Sequence, residues 1–282
     1  LFCLGALSLL GELDSNVSAE NKKDWIDWIY AQQVLPTGEI PDANEAYCGF
    51  RGSSWSGRKF EPNATTCPFQ YYDSSHIANT YTALSNLLLL GDDLSGVNKD
   101  AIIKTLSLLQ QEDGSIAPSF QSLERDVRFI YCACSISYIL NDWSGINIDK
   151  TVEHIKQLQS YEYAMAQCPE QEAHGGSTFC GVAALALMNK LEDGIVNKQK
   201  LIEWCLFRQT SGGGFQGRPN KLQDVCYGFW IGASLDMLNS FNMVQHEKLK
   251  DFLIDCQFKL GGFGKDPDSY PGKTEIYEKK IR

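Results

Sequence analysis

No apolar run in this chain reaches membrane-spanning length; the longest candidate, within residues 1–10, is too short, so a membrane span is excluded. Positive charge is in deficit. There are 25 Lys and Arg against 35 Asp and Glu, and the net charge of -10 argues against a nucleic-acid groove. It is compatible with a basic partner or substrate. Histidine is sparse, at four residues: His76, His154, His174 and His246. No segment reads as a confident strand, and no low-complexity tract is evident. The ten cysteines lack the spacing of a small disulfide scaffold. Cys132, Cys134, Cys180, Cys205 and Cys256 lie in apolar helical stretches, which predicts reduced, buried thiols in a cytoplasmic protein. Asn16-Val17-Ser18 and Asn63-Ala64-Thr65 match the glycosylation pattern, but with no signal peptide they read as chance.

What is present is enough for one large globular domain. The 282 residues are 43% hydrophobic and 21% charged. Aromatics recur at Tyr81, Tyr131, Phe179 and Tyr227, at intervals of 50, 48 and 48. Glutamines recur at Gln110, Gln159, Gln209 and Gln257, at intervals of 49, 50 and 48. Two series sharing a period near 49 mark a repeat architecture. Each unit reads as two helices. The first is apolar all round, as in residues 131–140 and 181–188, and so is buried. The second is amphipathic, as in residues 101–111, with Asp100 as its cap, and residues 201–209. Glycine-rich turns at Gly114, Gly212-Gly213-Gly214 and Gly261-Gly262 are expected to end second helices. The pattern predicts an all-α fold, an α/α toroid with apolar helices inside and amphipathic ones outside. About ten helices, in five pairs, are expected. The irregular sequence concentrates in residues 35–73.

Residues 217–230 concentrate the chemistry. Arg218 and Lys221 can hold a phosphate-like anion. Asp224 and Cys226 are oxygen and sulfur ligands of the kind zinc accepts. A metal beside a thiol makes it a thiolate at neutral pH. Anion clamp, metal and thiol together suggest attack by sulfur with diphosphate as leaving group.

These repeats and this segment resemble the protein prenyltransferase β-subunit family, in its type I geranylgeranyl branch. The phrases CGFRGSS (48–54), LGDDLSGVNK (90–99), NDWSGI (141–146) and HGGSTFCG (174–181) carry the resemblance over nearly the whole chain, to about Pro271. It implies transfer of a geranylgeranyl group from geranylgeranyl diphosphate to the cysteine of C-terminal CaaX motifs, X usually being Leu. It implies Zn2+ on Asp224 and Cys226, which with Tyr227 form the catalytic set. Zinc binds the substrate thiol, so Cys226 is a ligand and not the nucleophile. It implies diphosphate binding by His174, Arg218, Lys221, Tyr227 and Lys265. Arg128, Tyr131, Cys180 and Trp230 would line the isoprenoid channel. His76, Glu124 and Arg128 would read the peptide carboxylate. Arg128, set in an apolar helix, is expected to be buried and in need of a partner.

The implied partners are a prenyltransferase α subunit and CaaX-terminal proteins such as Rho-type small GTPases, with no nucleic acid. Mg2+ is not expected, because Lys265 stands where farnesyl enzymes of the family carry an Asp. A farnesyltransferase β subunit is the nearest rival. A terpene cyclase would need an Asp-x-Asp-Asp type motif, which is absent. A non-catalytic binding toroid is a third reading. It rests on the family's third zinc ligand, a His whose position is held here by Glu275. The chain starts at Leu1, not Met, and residues 273–282 depart from the family. The expectation is therefore one domain over 1–282, incomplete at both ends, with five of six helix pairs, weak zinc binding and impaired catalysis.

Overall fold

The computed structural model describes residues 1–37, 44–53, 65–66 and 73–271. Much of the irregular stretch 35–73, and Glu275 with the tail 273–282, lie outside the described residues. The chain divides into two compact units, Leu1–Thr151 and Val152–Arg282.

The first unit contains α1 (Phe2–Leu9), α2 (Leu13–Asn16), α3 (Ala19–Tyr30), α4 (Ile77–Leu89), α5 (Lys99–Leu109), α6 (Val127–Leu140) and the start of α7 (Ile148–Gln157). Two-residue strands β1 (Gln33–Val34) and β2 (Gly49–Phe50) pair antiparallel, with Gln33 opposite Phe50. The second unit contains α8 (Gly175–Leu187), α9 (Leu191–Gly194), α10 (Lys198–Leu206), α11 (Val225–Met237) and α12 (His246–Asp255). Ten of these helices have eight residues or more, so among the described residues the structure has the number expected from the repeat. No helix among the described residues is long and apolar enough to cross a membrane.

The two kinds of helix differ in burial as the sequence pattern requires. Ten of the fourteen residues of α6 are buried, and ten of the thirteen of α8. The amphipathic α5 buries five of eleven, along Ile102, Ile103, Thr105, Leu106 and Leu109. Not every apolar helix is enclosed. Only Ile231, Gly232, Ser234 and Leu235 of α11 are buried, and Phe229 is 59% exposed. Within its unit α11 packs mainly on α8, with α10 and the turn Phe241–Met243 beside it, and Leu249 and Leu253 of α12 reach Gly228.

The glutamine series has a definite structural cause. Gln110, Gln159 and Gln209 each follow an amphipathic helix and clamp the start of the next one. The Gln110 side chain accepts from the Asn147 N–H at 2.7 Å and donates to Thr151 Oγ1 at 2.9 Å. Gln159 accepts from Val196 N–H at 2.8 Å and donates to the Gly194 carbonyl at 3.0 Å. Gln209 accepts from Gln245 N–H at 2.9 Å and donates back to its carbonyl at 3.1 Å. Gln33 makes the same clamp on Asn98 and Gly96, at 2.8 and 3.0 Å. Its spacing hid it, because the long segment 35–73 intervenes. A helix start has N–H groups with no intrahelical acceptor, and a side-chain amide offers an acceptor and a donor together.

Three corrections follow. Asn98, not Asp100, caps α5; its side chain accepts from Ala101 N–H, and Asp100 stands in the first turn. The glycines do not end the helices. α5, α10 and α12 stop five or six residues earlier, before their glutamines, and the glycines serve the tight turns that follow. At Gly213 (φ +92) a Cβ would lie 2.1 Å from the Lys248 carbonyl oxygen, so only glycine fits. Extended pairing is also present: besides β1 and β2, bridges join Gln110 to Ile116, Gln159 to Met165, Gln209 to Phe215 and Gln257 to Phe263. These are too short to leave an alternating pattern in sequence. Replacing Gln159 by Ala removes both bonds of one clamp and is expected to cost about 1–3 kcal/mol. A thermal melt should show a drop of several degrees, whereas Gln199→Ala on the exposed face of α10 should leave it unchanged.

Candidate functional site

The four apolar helices α4, α6, α8 and α11 each begin on a side-chain cap. His76 Nδ1 accepts from Ala78 N–H, Asp126 Oδ1 from Arg128 N–H, His174 Nδ1 from Gly176 N–H, and Asp224 Oδ1 from Cys226 N–H. The caps stand at intervals of 50, 48 and 50 residues, so they are equivalent positions of the repeat. Three of the four had been singled out from sequence for other roles. The fourth, Asp126, had not.

In the second unit the segment 217–224 is a loop closed at its base. Gln216 bridges Gln223, and Asp224 N–H donates to the Phe215 carbonyl at 3.0 Å. Asn220, in the left-handed region at φ +62, folds the loop so that Lys221 N–H reaches the Arg218 carbonyl at 3.4 Å. Arg218 and Lys221 are thus neighbours on one turn. The Gly217 carbonyl accepts from Gly175 N–H at 2.7 Å, which ties the loop to the start of α8. The Tyr227 ring lies on Gly217; a Cβ there would be 2.2 Å from Tyr227 Cζ.

His174 Nε2 is 2.9 Å from the Tyr227 hydroxyl oxygen. Because Nδ1 accepts the capping N–H, a neutral ring carries its proton on Nε2 and donates it to Tyr227. The Tyr227 O–H is then left to donate elsewhere. Burial, and next the Arg218 charge, lower the His174 pKa and favour that neutral form. Burial, and then the Cys226 and Asp224 charges, raise the Tyr227 pKa, so the phenol keeps its proton. Arg218 Nη1 donates to Glu172 Oε2 at 2.5 Å.

Asp224 and Cys226 converge on the first turn of α11. Cys226 is exposed, yet partial desolvation and the hydrogen-bonded Asp224 carboxylate push its thiol up to about 12, while Trp230 one turn on lowers it. Oxygen and sulfur side by side fit zinc in kind. In number they fall short: among the described residues no group of three His, Cys, Asp or Glu could hold a metal. The Val225 N–H donates to the Lys265 carbonyl at 2.9 Å, so the Lys265 backbone meets the same helix start, with its side chain exposed. The Trp230 ring lies 5.0 Å from Phe179, tilted, and 5.0 Å from Phe229, edge-on, and Cys180 is buried in α8.

In the first unit His76, Glu124 and Arg128 come together. Arg128 is 3.7 Å from Glu124, lies 5.8 Å over the Phe129 ring, and that ring meets His76 edge-on at 5.9 Å. Burial lowers the His76 pKa and the Glu124 charge opposes the shift. The expected burial of Arg128 is corrected: its side chain is 57% exposed, in the first turn of α6. Its partner is the cap itself, for Asp126 takes Nε at 2.9 Å and Nη2 at 2.8 Å. Tyr131 is half-buried, its hydroxyl 3.3 Å from that of Tyr81. Asp126 and Glu172 are the residues that sequence reasoning missed. Asp126 could have been found by extending the cap interval, and Glu172 by its place two residues before His174.

A helix-pair repeat with an anion-ready loop beside a carboxylate–thiol pair defines a class, and comparison with known proteins says which. The family model described as the prenyltransferase alpha-alpha toroid domain matches residues 1–274. The chain belongs to that family and has its all-α toroid fold. It is 40% identical to a Geranylgeranyl transferase type-1 subunit beta of Dictyostelium discoideum, over 98% of this chain and 79% of that protein. The identity is 36% with the Arabidopsis thaliana protein of the same name, over 98% and 74%. A solved Candida albicans protein geranylgeranyltransferase-I complexed with GGPP superposes with a TM-score of 0.80 and 26% identity, over 96% of this chain and 78% of that one.

Replacing Arg218 by Gln removes a cation whose field disfavours the His174 imidazolium. The His174 titration midpoint, followed by NMR, should rise; a midpoint that stays or falls would contradict the proximity of the two groups.

Proposed function

We propose that this chain is the β-type subunit of a type I protein geranylgeranyltransferase, transferring geranylgeranyl from its diphosphate to a C-terminal CaaX cysteine. The observation that carries the reading is the cluster at the starts of α8 and α11. There Arg218, Lys221 and the His174–Tyr227 pair stand on the same loop and helix ends as Asp224 and Cys226. The similarity of the whole chain to type-1 β subunits supports it.

The chemistry follows from the groups. Breaking a C–O bond to diphosphate puts charge on the leaving oxygens. Arg218 offers a guanidinium fork, Lys221 a compact charge, and Tyr227 a hydroxyl proton freed by the bond from His174. These donors are held by helix caps and a closed loop, so they need little reorganisation when charge develops. Asp224 and Cys226 would hold zinc with further ligands from outside the described residues, and when bound the metal would supply a substrate thiolate at neutral pH. Lys265, exposed at the same helix start, would put its charge where a magnesium ion would otherwise be needed. The aromatic group Phe179, Phe229 and Trp230, with Cys180, would meet the isoprenoid chain. His76, Glu124 and Arg128 would read the peptide carboxylate. On this reading the chain works in the cytoplasm with an α-type subunit, on CaaX proteins such as Rho-type small GTPases.

The test is transfer of a labelled geranylgeranyl group to a CaaX peptide ending in Leu, by the chain purified with an α-type partner. Arg218→Gln should raise the KM for the prenyl diphosphate about 10- to 100-fold, the weight of one or two charge-assisted hydrogen bonds. Transfer should proceed in EDTA-treated, zinc-restored enzyme without Mg2+. Preference for the farnesyl donor, or a strict Mg2+ requirement, would overturn the type I assignment.

A further inference from the structure

Arg218 is the strongest cation of the loop, and it is already paired. Among the described residues the guanidinium's one hydrogen-bonding partner is Glu172, at 2.5 Å, and both side chains reach solvent, at 41% and 53% exposure. The pairing is set by the backbone. His174 enters α8 with extended backbone, and burial alternates before it, Ala173 being fully buried while Glu172 is exposed and His174 half-buried. Alternation along an extended segment puts residues 172 and 174 on one side and 173 on the other. His174 is fixed by capping Gly176 N–H and by Tyr227, so the chain position of Glu172 is fixed with it. The Glu172 and Arg218 charges both act on His174, in opposite directions, so the three groups share one field.

A carboxylate beside a cation meant for an anion has two effects. It occupies one edge of the guanidinium and orients the rest. It also places a negative charge next to the site where the anion must sit. Building on the diphosphate reading of Arg218, we propose that Glu172 is a positioning residue that holds Arg218 in place and, by its charge, weakens the grip on inorganic diphosphate, the product to be released. The Glu172 side chain is exposed and takes no part in the cap contacts, so removing its charge leaves the fold intact. Glu172→Gln keeps a side chain of the same shape and an oxygen acceptor for Arg218, so it isolates the charge.

The experiment is calorimetric titration of inorganic diphosphate into the full chain purified with its α-type partner, for the parent, Glu172→Gln and Arg218→Gln. One unit of like charge at a solvated site is worth on the order of 1 kcal/mol, which is about fivefold. Glu172→Gln should therefore bind diphosphate about three- to tenfold more tightly at low ionic strength, and the gain should shrink at high salt, where exposed charges are screened. Arg218→Gln should bind it more weakly. A purely structural Glu172 would give weaker or equal binding when replaced. If Arg218→Gln weakens binding while Glu172→Gln leaves it unchanged or weaker, the Glu172 inference is overturned and the diphosphate reading stands. If Arg218→Gln leaves binding unchanged, the diphosphate reading falls, and this inference with it.

Discussion

The first turn of an α-helix leaves backbone N–H groups with no acceptor inside the helix. In α4, α6, α8 and α11 a side chain at the cap takes one of them, so the same contact recurs at four repeats. The consequence reaches beyond helix stability. A cap must be polar, must sit where the chain enters the helix, and cannot move without freeing an N–H. The repeat therefore supplies rigid polar side chains at fixed places, and only their identity needs to change. Asp126 uses its position to hold a guanidinium in two places. His174 uses its other nitrogen to reach a phenol. Asp224 sits beside a thiol.

The same economy governs the charges. The pairing of opposite charges recurs at both sites, Arg128 with Asp126 and Glu124, and Arg218 with Glu172. These pairs are exposed, so each adds little to stability. Their value lies in orientation: a guanidinium with one edge occupied has fewer places to point. Cys226 shows the opposite arrangement. Its neighbours are a carboxylate and an apolar helix surface, so without a cation the thiol stays protonated well above neutral pH. A carboxylate that raises a thiol pKa is poorly placed to make a nucleophile of it, and well placed to share a cation with it.

Much of this was legible in the sequence because two residue types are locked to the repeat for one reason each. Glutamine recurs because an amide offers both halves of the clamp on the next helix, and Tyr81, Tyr131 and Phe179 recur because each is the fifth residue of its apolar helix, a place that Phe229, not Tyr227, takes in α11. Gln33 escaped because an insertion of irregular sequence broke the interval. The cap series escaped because His and Asp do the same geometric work with different chemistry, so no single letter repeats. Asn98 was passed over for Asp100 because both are good capping residues and sequence alone does not fix which lies at the boundary. Arg128 read as buried from its apolar neighbours, but the first turn of a helix lets a long side chain turn out toward solvent.

The central claim is that the ends of α8 and α11, with the loop before α11, form a diphosphate site beside a metal pair, built on helix caps that do not move. The most direct measurement is a crystal structure of the chain with its α-type partner, zinc and geranylgeranyl diphosphate. The account predicts diphosphate oxygens within hydrogen-bonding distance of Arg218, Lys221 and the Tyr227 hydroxyl, and zinc on Asp224 and Cys226. It also predicts the bonds from Gly176 N–H to His174 and from Cys226 N–H to Asp224 unchanged. Diphosphate bound away from this loop, or caps broken to receive it, would contradict the account.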